Sequence, residues 1–215
     1  MVETVSPQQT QLLTREEIID LLDAKDIPWR TWHTMKAART LDALVKYHRE
    51  GQVFFREDSQ PGLIIDVHVI VMRVHHRFDT KWLELFEAVQ IFANGDRLER
   101  GDCFDGLGET RNRGETIHRG AVRCLEEELK FFDPSTYTLS DCLGVEHRAP
   151  CPSEKWPGVT AAYHRYIHEC VISRAIFNPD GYVEPEEDGR LIYFKWRPLQ
   201  QRELPNLEST PGPRH

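Results

Sequence analysis

Two long runs of β-branched and aromatic residues constrain the fold of this chain more than any other feature. Residues 63–74 and 82–92 are rich in residues that favour strands, and the second run ends at the turn sequence Asn94-Gly95. Similar runs follow at 160–172 and 190–196. The sequence therefore predicts a β-rich main domain that begins near residue 61.

Helical patterns precede these strands. Thr14 and Glu17 form a capping-box pattern before an apolar run, and a second amphipathic run starts at Thr40 and stops at Gly51. The last residues are polar and rich in proline, which is typical of a loose tail. We predict an N-terminal helical extension over 1–60, a main domain over 61–198 and a flexible tail over 199–215.

The charge balance limits the classes of partner. The chain has 27 Lys+Arg against 35 Asp+Glu, a net charge of −8, so no general attraction to nucleic acid or to anionic membranes is expected. The N-terminus lacks the pattern of a secretory signal, and no apolar run is long enough to span a bilayer. The five cysteines contain no Cys-x-x-Cys pair, which indicates that they are reduced and mostly serve as packing residues. We expect a cytoplasmic protein and leave a homodimer open.

One predicted helix carries two adjacent carboxylates. Residues 116–130 have a helical pattern, and within it Cys124, Glu127 and Glu128 are spaced i, i+3 and i+4, so they share a face. An adjacent apolar stripe can face the core and leave the carboxylates at the rim of a cleft. Neighbouring like charges are costly unless a cation joins them, and hard cations prefer oxygen ligands. The spacing predicts a divalent-metal site.

The segment from 109 to 131 resembles the box of the Nudix family. Glu115, Arg123 and Glu127-Glu128 have the separations of that motif, with apolar residues at Leu125 and Phe131. The resemblance implies an α/β fold, with an α/β/α sandwich around a mixed sheet. It also implies that Glu115, Glu127 and Glu128 hold Mg²⁺ or Mn²⁺ while Arg123 fixes a carboxylate. The implied reaction is hydrolysis of a small organic diphosphate, such as a nucleoside diphosphate derivative, by water attacking phosphorus.

The chain departs from the family motif at three places. Glu109 and Lys130 occupy glycine positions, and Cys124 stands where the family has a glutamate. A thiol is a soft ligand and a poor substitute for a carboxylate on Mg²⁺. A module that binds a ligand or regulates without hydrolysis therefore stays open beside the active hydrolase, as does a Nudix fold used for another reaction. We predict that Cys124→Glu strengthens metal binding.

Other acidic residues and two histidines give weaker evidence for a catalytic or metal-binding role. The general base is not identified by the motif, and Glu146, Glu154 and Glu169 are open candidates. The acidic segment 184–188 has no metal motif and is predicted to be a solvated loop. His164 and His168 would lie about 13 Å apart along one strand, too far to share a metal ion.

Overall fold

The computed structural model describes residues 12–35, 38–56, 62–100, 106–186 and 189–199. The helices are α1 (Arg15–Ala24), α2 (Leu41–Glu50) and α3 (Ile117–Glu128), with short 3-10 helices at Trp29–Thr34 and Pro134–Thr136. The strands are β1 (Val53–Arg56), β2 (Leu63–Phe78), β3 (Lys81–Ile91), β4 (Arg97–Glu99), β5 (Leu107–Thr110), β6 (Tyr137–Leu139), β7 (Gly144–His147), β8 (Cys151–Pro152), β9 (Val159–Ile172), β10 (Tyr182–Pro185) and β11 (Leu191–Pro198). The protein is of the α/β class, as predicted.

By its contacts the chain divides into two units. Of the described residues, the first unit holds those within 1–69, 110–115 and 146–165, and the second unit holds those within 70–109, 116–145 and 166–215. The long strands β2 and β9 contribute residues to both units. The predicted division at residues 60 and 198 stays a prediction, and the predicted tail from residue 200 onward lies outside the described residues.

Local sequence explains how the helices of the first unit begin and end. Thr14 and Glu17 form the predicted capping box at the start of α1. The Thr40 side chain accepts a hydrogen bond from the backbone of Ala43 at the start of α2, which ends at Gly51. These helices pack on β1 and on the first part of β2 through a buried cluster that includes Ile18, Leu44 and Ile65.

The second unit is built on a sheet with strand order β10-β11-β3-β2-β9-β6, and β4 pairs with the outer part of β3. The pairs β10–β11, β11–β3, β2–β3 and β6–β9 are antiparallel. Ala121, Cys124 and Leu125 of α3 share a buried cluster with Leu85 and Phe194 of the sheet. This packing fixes which side of α3 faces solvent. Within the described ranges, no helix is long and apolar enough to cross a membrane.

Candidate active site

Helix α3 forms because its pattern is strongly amphipathic and its first turn is capped. The Thr116 side chain accepts a hydrogen bond from the Arg119 backbone N–H at 3.1 Å, as a helix-starting threonine does. The helix runs over Ile117–Glu128, inside the predicted span of 116–130. Since its apolar side lies in the core, Glu127 is exposed and Glu128 is half-buried.

Arg123 joins two carboxylates of the second unit. Its Nη1 lies 2.7 Å from Oε2 of Glu127, one helical turn away, and 3.6 Å from Oε1 of Glu109 on β5. The Arg123 side chain is only 13% exposed, so these charges interact where water screens them incompletely. The arrangement limits the rotation of the Glu127 side chain. A catalytic role for Arg123 and Glu127 stays a prediction.

Glu184 on β10 faces Glu128, and the two form a carboxyl pair. Glu184 is 8% exposed, lies opposite Ile192 of β11, and leaves its Oε2 buried without a hydrogen-bond partner. The pKa of Glu128 is raised far above its usual range by burial, by the hydrogen bond with Glu184 and by the nearby charges of Glu109 and Glu186. Burial also raises the pKa of Glu184. Without a cation, the pair therefore holds a shared proton at neutral pH.

The prediction that segment 184–188 is a solvated loop is wrong for Glu184. The residue lies on a strand and is buried, because β10 pairs with β11 and alternate residues of β10 face the interior. The β-favouring pair Tyr182-Val183 was a signal for this short strand. Glu187 and Asp188 lie outside the described residues.

Cys124 is a core residue. It is 0% exposed and packs with Ala121 and Leu125. Burial raises the pKa of its thiol well above the ordinary value, and the charges of Glu128 and Glu109 raise it further. The side chain is therefore a neutral thiol, which is a poor ligand for a hard cation. Cys124, Glu127 and Glu128 are predicted to share one face of the helix. In the structure, Cys124 points into the core and Glu127 points to solvent.

Glu115 is held in a turn of the first unit. Its Oε2 accepts a hydrogen bond from the Asn112 backbone N–H at 3.0 Å, and its own N–H donates to the Asn112 carbonyl at 3.2 Å. These bonds give the carboxylate a defined local position. Its predicted role as a metal ligand stays a prediction.

Two arginines form hydrogen bonds and ion pairs with other polar side chains of the second unit. Arg100 Nε donates to Oε1 of Glu87 at 3.0 Å, and that oxygen also accepts from Gln90 Nε2 at 2.7 Å. Arg190 donates to the Gln90 side-chain oxygen at 3.0 Å and pairs with Glu186 at 3.1 Å. The charge of Glu186 also contributes to the raised pKa of Glu128.

The open candidates for a general base have different surroundings. Glu146 pairs with Arg165 at 2.7 Å in the first unit. Glu154 is exposed, and Glu169 is 7% exposed on β9, next to the Ser140 hydroxyl to which its backbone N–H donates. A role as general base stays a prediction for each of them.

The carboxyl pair has the donor chemistry of a hard-cation site. Mg²⁺ is commonly bound through one or two carboxylates and completes its coordination with water. Glu128 and Glu184 match that pattern, since one buried oxygen of Glu184 is unpartnered. In the part of the chain that the structure describes, no group of three or more His, Cys, Asp or Glu side chains is arranged to hold a metal ion. The two glutamates would therefore supply only part of a ligand set.

Comparisons with known proteins give distant structural similarity. No family model and no curated protein matches the sequence. An Ap4A hydrolase of C. elegans, crystallised as a binary complex, is 13% identical over 60% of this chain and 77% of its own, with a TM-score of 0.35. RenU, a Nudix hydrolase of M. smegmatis, is 12% identical over 61% of this chain and 70% of its own, with a TM-score of 0.32.

A third solved structure is the Nudix domain of NrtR from Shewanella oneidensis, complexed with ADP ribose. It is 13% identical over 62% of this chain and 73% of its own, with a TM-score of 0.28. Two of the three structures bear the name of the family that residues 109–131 resemble. Similarity this distant says nothing about activity, so the case for function rests on this chain's own carboxylates.

Proposed function

We propose that the protein is a metal-dependent hydrolase of a small organic diphosphate, with nucleoside diphosphate derivatives as the first class to test. The observation that carries the proposal is the pair of Glu128 and Glu184, in which a buried carboxylate oxygen has no partner. A cytoplasmic location and the use of Mg²⁺ or Mn²⁺ are parts of the same proposal.

The residues of the second unit have different roles in the proposed reaction. Glu128 and Glu184 would hold the cation, which supplies neutralisation of phosphate charge and a lowered pKa of bound water. Arg123 keeps Glu127 in one orientation, and the exposed Glu127 is available to accept a hydrogen bond from the attacking water. Water adds to phosphorus as the bond between phosphorus and the bridging oxygen breaks, which releases two phosphate-bearing products.

The test measures product release from a panel of nucleotide sugars, dinucleotides, isoprenyl diphosphates and inositol pyrophosphates with Mg²⁺ or Mn²⁺. Glu128→Gln and Glu184→Gln should each lower kcat about a hundredfold or more, since each replaces a negatively charged ligand of the cation by a neutral amide. Glu99→Gln, at an exposed position on β4, is the matched control and should retain full activity. Absence of turnover on every substrate, or full activity in both pair variants, would overturn the proposal.

The second candidate is a binding module without hydrolysis. It is favoured by Cys124, which packs in the core where the family has a glutamate, so this chain lacks one expected oxygen. Binding of an intact diphosphate without metal dependence and without product would support this alternative. Calorimetry on the same panel, followed by chromatography of the ligand, separates the two functions.

A further inference from the structure

A second cluster of ionisable side chains lies in the first unit. His147 on β7 and His164 on β9 face each other, with their Nδ1 atoms 2.8 Å apart and their rings nearly perpendicular at 80°. On its other side, His164 places Nε2 2.8 Å from Oδ1 of Asp66 on β2. Arg56 of β1 forms an ion pair with the same carboxylate.

Asp66 sets the proton position on His164. Because Arg56 holds Asp66 as a carboxylate, that carboxylate accepts the hydrogen bond and His164 Nε2 carries the proton. The Nδ1 atom of a neutral His164 then carries a lone pair that is directed at His147. Metal-binding histidines are oriented by carboxylates in the same way.

The orientation of His164 is further restricted by His68. The two rings stack at 4.8 Å with an interplanar angle of 19°. Phe54 packs edge-on against the His68 ring, and the two ring centroids are 5.4 Å apart. One imidazole is thus held rigidly, while His147 is exposed and can rotate.

The separation of the two nitrogens suits a common metal ion. With Zn–N bonds of about 2.0–2.1 Å and tetrahedral angles, two ligand nitrogens lie about 3.3 Å apart. The observed 2.8 Å is about half an ångström shorter than this, so an ion on His164 Nδ1 requires the exposed His147 ring to swing aside and turn its own Nδ1 toward the ion. Imidazole nitrogens suit Zn²⁺, Ni²⁺ and Cu²⁺, whereas Mg²⁺ prefers oxygen.

We propose that His147 and His164 form a binding site for a late first-row divalent cation, represented by Zn²⁺ or Ni²⁺, with Asp66 as the orienting carboxylate. The described residues offer no third His, Cys, Asp or Glu arranged with this pair, so water or a small anion completes the coordination. The site is therefore open to an exogenous ligand. It does not depend on the proposed function.

The test titrates the full-length, chelator-treated protein with ZnCl₂ and with NiCl₂ alone, by calorimetry at pH 7.5. His147→Ala and His164→Ala should each weaken binding at this site at least tenfold, and Asp66→Asn should weaken it about 10–100-fold. His33→Ala, an exposed histidine of the first unit, is the matched control and should bind like wild type. Because His147 is exposed, its replacement tests the site without removing a buried group.

Two further measurements make the outcome decisive. Substoichiometric Co²⁺ should broaden the ring NMR signals of His147 and His164 before those of His33. A Glu128→Gln, Glu184→Gln double variant should retain the Zn²⁺ isotherm, which separates this site from the carboxyl pair. No saturable binding, or equal binding in wild type and His147→Ala, would mean that the two histidines share only a proton and would overturn the proposal.

Discussion

Lys130 has a backbone conformation that normally selects glycine. Its φ is 61°, in the left-handed region that costs a residue with a Cβ about 1–2 kcal/mol. The conformation lets the Phe131 N–H donate to the Leu125 carbonyl at 3.1 Å, which closes the end of α3. In the resembled box this position is glycine, so the strain is specific to this chain's choice of residue.

Lys130→Gly should raise the free energy of unfolding by about 0.5–1 kcal/mol, because relief of the strain outweighs the added freedom of the unfolded chain. Urea unfolding of the two proteins measures the difference. Lys130→Ala is the control: it loses the bond from Nζ to the Glu127 carbonyl, at 2.5 Å, but keeps a Cβ, so it should show no gain. An equal gain in both variants would assign the effect to the ammonium group instead.

Cys124→Glu tests how the core meets the carboxyl pair. A carboxylate at this fully buried position, near Glu109 and Glu128, should lower the free energy of unfolding by about 2–5 kcal/mol without a cation. If the new oxygen reaches the cation, Mg²⁺ should raise the melting temperature of the variant more than that of wild type. Thermal unfolding with and without Mg²⁺ measures this. An equal Mg²⁺ effect in both proteins would show that position 124 does not contact the cation.

At the scale of elements, the end of α2 is fixed by its contact with another segment. Gly51 has φ 74°, and a Cβ there would lie 2.5 Å from the Cβ of Arg113. The Arg113 N–H also donates to the Glu50 carbonyl at 2.6 Å. Glycine at this position is therefore required both by the backbone conformation and by close packing.

Gly51→Ala should destabilise the protein by about 2–3 kcal/mol, from left-handed strain plus the displacement of Arg113. Gly95→Ala is a matched control, since Gly95 also has a positive φ, of 85°, but a Cβ there would meet nothing within 4 Å. That variant should lose only about 1 kcal/mol. Chemical denaturation of both variants isolates the packing contribution, and equal losses would remove Arg113 from the explanation.

The local part of the candidate site could be predicted from the sequence. Helical geometry brings residues four apart together, so the contact between Arg123 and Glu127 follows from their spacing once α3 is recognised. The four longest strands were likewise predicted within a few residues, because their β-favouring runs are long.

The long-range part could not be predicted. Glu184 reaches Glu128 only because β10 pairs with β11, and no local pattern encodes that pairing. His147 approaches His164 only because β7 pairs with β9. Distances along one strand, which separated His164 from His168, say nothing about a neighbour supplied by another strand.

For the molecule as a whole, buried histidines contribute to the dependence of stability on pH. His75 in the second unit is 1% exposed, and neither ring nitrogen has a hydrogen-bond partner in the described structure. Burial, and secondarily the charge of Arg73, lowers the pKa of His75 from 6.5 to about 4. Burial is also the first cause of the lowered pKa values of His48, His68 and His168.

The contribution of these histidines to the free energy of unfolding should fall as the pH decreases from about 6.5 to 4, because they bind protons there in the unfolded chain that they do not bind in the folded protein. His75 contributes up to about 3 kcal/mol of this loss. The protonated pair of Glu128 and Glu184 contributes in the opposite direction, so a comparison of variants isolates His75. His75→Gln should reduce the slope, whereas His33→Gln, at an exposed position, should leave it unchanged. Urea unfolding across this pH range measures both, and an unaltered slope in His75→Gln would contradict the assignment.

The position of β10 at one end of the strand order also affects solution behaviour. A terminal strand offers backbone amide and carbonyl groups to other chains, and its Val183 side chain is 52% exposed. Pro185 lacks an N–H that a foreign strand could use, which opposes self-association at this edge. Because Glu184 lies on this terminal strand, its replacement also alters a strand with which other chains could pair. Loss of activity in Glu184→Gln is therefore best measured on the monodisperse fraction from size-exclusion chromatography.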